Sequence, residues 1–225
     1  FDYFYGYLDQ RHAHNYYPEF LYRNREVVRV EGNIVGNGRK DGTGQAIKKV
    51  NYSHDLFIKE SLQFIEQNKN EPFFLYLALT IPHANNEAGA EGMEVPDLGA
   101  YAEKNWPEPE KHKAAMISRM DKDVGELLKQ LRDLNIADNT LVIFSSDNGP
   151  HKESGIDPSF LKSSGGLRGI KRDLYEGGIR VPMIAWWPGT IKAGTTSAHI
   201  SAHWDFLPTV CDLAGIDPKS ETDGI

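Results

Sequence analysis

Three continuous apolar runs constrain this chain more than any other feature: "PFFLYLALT" at 72–80, "TLVIFSS" at 140–146 and "VPMIAWWPG" at 181–189. Apolar runs of this length flanked by turn formers read as strands buried on both faces. The clearest helix, from about Pro109 to Leu134, lies between the first two. Its Met116, Met120, Val124, Leu127, Leu131 and Leu134 repeat at spacings of four and three, the stripe of a core-facing helix. Ser53 can cap an earlier helix through about Gln67, with Asp55 in its first turn and Ile58, Leu62 and Ile65 on one face. A last helix, about Trp204 to Ala214, ends at Gly215, which suits a C′ position. Helices alternating with buried strands give an α/β class with a mostly parallel central sheet flanked by helices. Residues 1–50 read as loop-dominated, with one short hairpin around "EVVRVEGN".

The 225 residues suffice for one large or two small domains, and the formal charge of −7 argues against a nucleic-acid partner. No apolar run is long enough for a membrane span. Basic residues nevertheless gather in "GGLRGIKRDLYEGGIR" at 165–180. A local positive patch in an acidic chain points to a small anion as ligand. The lone cysteine, Cys211, excludes an internal disulfide and any multi-cysteine metal site. Its apolar neighbours predict a buried thiol.

Ligands of α/β sheets bind outside the carboxyl ends of the strands. That rule singles out "TIPHANN" after the first run and "SSDNGPHK" after the second. Asp147 and Asn148 offer adjacent hard oxygen donors, which favour Ca²⁺ or Mg²⁺ over zinc. Two oxygens do not complete a shell, and Asp-Asn-Gly is also an ordinary turn sequence. His83 could equally be a loop histidine bonded to a neighbouring carbonyl. Paired glycines beside Arg168, Lys171 and Arg172 let backbone approach a ligand closely and offer donors to a tetrahedral oxyanion from several directions.

"SSDNGPHKESG", "GGLRGIKRDLYEGGIRVPMIAWWPG" and "HWDFLPTVCDLAGI" together resemble the type I, formylglycine-dependent sulfatases of the alkaline-phosphatase-like superfamily. "IPHANN" and "RMDKDVGELLKQL" match that family in order and spacing. "FDYFYGYLDQRHAHNYYPEFLYRN" resembles its arylsulfatase-A-like members. The resemblance implies an alkaline-phosphatase/sulfatase-like fold in which Asp147 and Asn148 bind one Ca²⁺. It implies that His83 contacts the sulfate and protonates the leaving oxygen, that Lys171 binds sulfate oxygens, and that His151 lies beside the pocket. The implied substrate is a small-molecule or carbohydrate sulfate ester, and the implied location periplasmic, secreted or lysosomal.

The sequence departs from the family at the nucleophile. It holds no C-x-P-x-R motif from which formylglycine is made, nor the two aspartates and the Lys and His that accompany it. The expectation is that residues 1–225 form the central part of a sulfatase catalytic domain, an incomplete fold without the nucleophile segment and the C-terminal portion. Such a piece is expected to be inactive alone. A phosphatase or phosphodiesterase of the same superfamily is an alternative, although those sites usually read Asp-His where this chain has Asp147-Asn148. A catalytically dead domain that binds sulfated glycans is another. The sequence leaves the oligomeric state open.

Overall fold

The computed structural model describes residues 1–36, 39–217 and 222–224. The chain forms two compact units, Phe1–Thr190 and Ile191–Ile225. In the first unit β1 (Tyr5–Gly6), β2 (Phe20–Arg23) and β3 (Glu26–Arg29) form an antiparallel sheet in the order β1-β2-β3, with α1 (Gln10–Ala13) between the first two strands. Asn24, with φ of +54°, opens the tight β2–β3 turn, a conformation that Asn tolerates better than most residues. This is the expected hairpin, begun earlier than the sequence signal placed it. A small pair, β4 (Ile34–Val35) and β5 (Ala46–Lys48), follows.

Two helices form the scaffold. α2 covers Ser53–Asn68 and α3 covers Glu108–Asp133, within a residue or so of their expected bounds. Ser53 does not cap α2: Tyr52 is the N-cap residue, and Ser53 is the first buried residue of the helix. Pro109 and the acids Glu108 and Glu110 open α3, where a missing N–H and negative charge are both favoured. The α3 stripe is core as predicted, with Met116 and Leu131 at 0% and 4% exposure. Polar clamps join the two helices. His54 donates to the Asp123 carboxylate at 2.8 Å, Arg119 grips Asp55 through two bonds of 2.7 and 2.6 Å, and Gln130 donates to the Leu62 carbonyl.

The sheet departs from expectation. β6 (Val142–Ser145) and β7 (Met183–Trp186) do form within the second and third apolar runs, but they pair antiparallel. Every strand pairing among the described residues is antiparallel, so the mostly parallel central sheet is not seen in them. The first run contributes no ladder. Phe73, Leu75, Leu77 and Leu79 pack inward, while Phe74 and Tyr76 point outward at 68% and 71% exposure. The segment has strand periodicity and apolar residues on both faces, yet only one face is covered, which corrects the expectation of burial on both.

In the second unit α4 covers Phe206–Leu213. Gly215, at φ of +67°, ends it as expected: its N–H reaches the Asp212 carbonyl and the Ile216 N–H reaches Cys211, the paired bonds of a Schellman cap. Cys211 is partly exposed rather than buried. Among the described residues no helix is long and apolar enough to cross a membrane.

Candidate active site

The inward-facing run ends in a loop that carries His83. Fully buried Tyr16 holds this loop, donating its hydroxyl to the His83 carbonyl at 2.5 Å. Burial pushes the Tyr16 hydroxyl well above its usual range, which keeps it a donor. On the imidazole, Nδ1 donates to the Ala84 carbonyl at 2.7 Å. The neutral ring therefore carries its proton on Nδ1 and turns an unprotonated Nε2 towards Lys171, whose Nζ lies 2.8 Å away. The local bond of the bland reading and the contact of the functional one coexist in this residue. Burial, and then the nearby Lys171 charge, hold His83 below the ordinary histidine value, the Ala84 bond opposing them.

The structure thus brings His83 and Lys171 together across 88 residues of sequence. His151 joins them, its ring centroid 6.0 Å from that of His83. Both His151 nitrogens are engaged by backbone: Nε2 donates to the Pro82 carbonyl at 3.1 Å, and Nδ1 accepts the Glu153 N–H. It braces the His83 loop through the Pro82 carbonyl. Burial is again the main reason that its pKa lies below the ordinary value.

Asp147 and Asn148 follow β6 on the loop that leads into this cluster. The Pro150 carbonyl accepts the Lys171 N–H at 2.9 Å, and Gly149 donates to Gly178. A Cβ on Gly149 would lie 1.9 Å from the Gly177 oxygen, and one on Gly177 would lie 2.2 Å from the Gly169 oxygen. The glycines at 177 and 178 therefore let backbone approach backbone rather than ligand. No hydrogen bond or ion pair engages the Asp147 or Asn148 side chain among the described residues. Their oxygens suit a hard cation, as two ligands of a larger shell. The described residues gather no group of three or more His, Cys, Asp or Glu able to hold a metal.

The basic motif divides its work. Arg168 stacks on Tyr175, its guanidinium carbon 3.7 Å from the ring centroid, and hydrogen-bonds that phenol. Arg172 pairs with Glu153 at 2.7 Å, and Lys171 lies 3.6 Å from the same carboxylate. Burial raises the Glu153 pKa, but the Arg172 bond and the Lys171 charge outweigh it and hold the group below its usual value. Ser154 and Arg172 adopt left-handed φ values of 53° and 78° beside this pair. Such strain collects where surrounding structure over-determines the backbone.

Three contributors were given no role by the sequence, although each lies inside a block that carries the family resemblance. Glu153 follows His151 in "SSDNGPHKESG", Tyr16 reads as a core aromatic, and His14 stacks on His83 at 5.0 Å and 9° from a segment far away in sequence. His14 is itself held by Glu87, 2.8 Å from its Nδ1.

Helices and small antiparallel sheets thus gather His83, Lys171 and His151 from separate motifs, with the Asp147–Asn148 loop leading into them, an arrangement on which an anion site can be built. The chain belongs to the Sulfatase family, whose pattern matches residues 1–216. It is 34% identical over 167 residues to the N-acetylgalactosamine-6-sulfatase of Homo sapiens, covering 74% of this chain and 29% of that protein. It is 31% identical over 231 residues to the uncharacterized sulfatase YdeN of Escherichia coli K12, covering 100% of this chain and 35% of YdeN. The chain thus spans about a third of the length of these relatives. Among solved structures, Ps i-CgsB in complex with k-i-k-neocarrahexaose superimposes with a TM-score of 0.65 at 30% identity, over 91% of this chain and 40% of that one.

Proposed function

We propose that this chain supplies the sulfate-holding residues of a sulfuric ester hydrolase acting on carbohydrate sulfates. The observation that carries the proposal is the 2.8 Å approach of Lys171 Nζ to His83 Nε2. Two nitrogens from separate motifs meet at one point, partly buried, with the Glu153 carboxylate 3.6 Å from the lysine. An anion entering there takes an N–H from the Lys171 ammonium and, once the His83 ring is protonated, a second from its Nε2, and charge-assisted bonds of this kind are the strong ones. Family membership and relatives named for N-acetylgalactosamine-6-sulfate support the sulfate ester, and the sugar-bound Ps i-CgsB supports a carbohydrate.

Cleavage at sulfur builds charge on the equatorial oxygens and on the leaving oxygen. The Lys171 ammonium stabilises the former. The leaving oxygen needs a proton, which has to pass through His83 Nε2 because Nδ1 is spent on Ala84. Bound sulfate offsets the depression of the His83 pKa by favouring its charged form. His151 and Tyr16 position the imidazole, and Glu153 positions the lysine. Asp147 and Asn148 are the side chains that would hold the family's Ca²⁺, which when bound supplies electrostatic stabilisation of sulfate oxygens. Formylglycine, the family nucleophile, has no counterpart in this sequence, so residues 1–225 alone are proposed not to turn over sulfate esters.

Titration of the chain with a monosaccharide sulfate, followed through the His83 ring-nitrogen resonances, tests the reading. Lys171→Ala is expected to weaken binding about 10-fold or more, the worth of one charge-assisted bond. Unchanged affinity in the variant would overturn the proposal. So would aryl sulfate turnover by the unmodified chain above that of the Lys171→Ala control, for the claim of inactivity.

A further inference from the structure

A cleft of about 340 Å³ opens beside this centre, lined by Arg11, Arg39, Gln45, Ile47 and Glu87, with glycines 36 and 44 completing its wall. Its volume suits one sugar ring. The cleft is tied to the centre by two contacts. His14 stacks on His83, and Glu87 holds His14 with one carboxylate oxygen while the other lies 3.5 Å from Arg11 Nε.

The nearby acids are already occupied. Glu87 is taken up by His14 and Arg11, Asp41 accepts two bonds from Thr43, and Glu91 accepts the Gln45 amide N–H. The arginines are the less committed partners. Arg11 is 61% exposed with that one long ion pair, and Arg39 donates one N–H to Thr43. Each guanidinium keeps most of its five donors in a planar fork that matches sulfate or carboxylate oxygens. Gln45 retains its carbonyl oxygen for a sugar hydroxyl, and Ile47, 77% exposed, offers an apolar surface to a ring face.

We infer that this cleft binds the sugar next to the one whose sulfate sits at His83 and Lys171, and that it selects a neighbour carrying its own acidic group. The inference rests on the reading of His83 and Lys171 as the sulfate-holding pair. The substrate class becomes a polyanionic glycan rather than an isolated sulfate ester.

Titration calorimetry of the 225-residue chain tests this with three sulfated disaccharides whose neighbouring sugar is sulfated, uronate-bearing or neutral. The two acidic ligands are expected to bind about 10-fold or more tightly than the neutral one, and comparison between them tells which acid the arginines prefer. The double variant Arg11→Gln/Arg39→Gln is expected to remove that advantage and leave the neutral ligand unaffected. Arg11→Lys/Arg39→Lys, which keeps charge but loses the forks, is expected to retain part of it. Equal affinity for all three ligands, or glutamine variants that bind the acidic ligands as wild type does, would overturn the inference. Lys171→Ala separates the two readings. If it leaves all three affinities unchanged while the glutamine variants abolish the acidic preference, the cleft stands as an anionic-sugar site and the assignment of His83 and Lys171 fails.

Discussion

His83 shows how much of a catalytic candidate is decided by residues that never touch substrate. Its carbonyl is held by Tyr16, its Nδ1 by Ala84, and its loop by His151 through the Pro82 carbonyl. Tyr16→Phe removes the donor and leaves the partly buried His83 carbonyl without its partner. The expected loss is about 1–3 kcal/mol of stability in chemical denaturation, with weaker binding of a monosaccharide sulfate as the loop relaxes. A variant as stable as wild type would show that the bond contributes nothing. The residues proposed for direct chemical roles were legible in sequence because "PH", "DNG" and "LRGIK" are local patterns. Their supports were not. Tyr16 and His14 reach His83 only through tertiary packing, and an aromatic or a lone histidine in a loop carries no local mark of its partner.

Among the elements, the helices were readable almost to the residue, because the Met116–Leu134 stripe and the Pro-Glu opening of α3 are fixed by one turn's geometry. Strand pairing was not. Continuous apolar character tells that both faces of a strand can be covered, but nothing about which neighbour covers them or in which direction. The segment at 73–80 makes the point, with Phe74 and Tyr76 presenting an open apolar face. Exposed apolar strands of this kind favour self-association. Phe74→Lys together with Tyr76→Lys is expected to lower concentration-dependent association in sedimentation velocity while shifting stability by no more than about 0.5 kcal/mol. An unaltered association profile would move the sticky surface elsewhere. Leu131→Ala, on the packed face of α3, is expected to cost about 2–5 kcal/mol instead.

Over the whole molecule, charge sets the pH range in which the fold holds. His12, His54, His83 and His151 all lie below the ordinary histidine value of 6.5, burial being the largest cause in each. The unfolded chain therefore takes up protons at a higher pH than the folded one. Stability from these groups is complete above about pH 6.5 and declines as pH falls through that value towards the lower folded ones. The urea midpoint is expected to be lower at about pH 5.5 than at about pH 7.5, and equal midpoints would refute the account. Glu153, held low by Arg172 and Lys171, extends the decline into the carboxylate range on further acidification.

The separation of 88 positions between His83 and Lys171 also makes their proposed ligand a staple. Whatever bridges the two nitrogens closes a loop well over a third of the chain's length, and the unfolded polymer has no equivalent place to bind it. Ligand at 100 times its dissociation constant would raise the unfolding free energy by about 2.7 kcal/mol. A melting curve recorded against a panel of anions thus becomes a screen for what the protein recognises, readable even where no bond is broken.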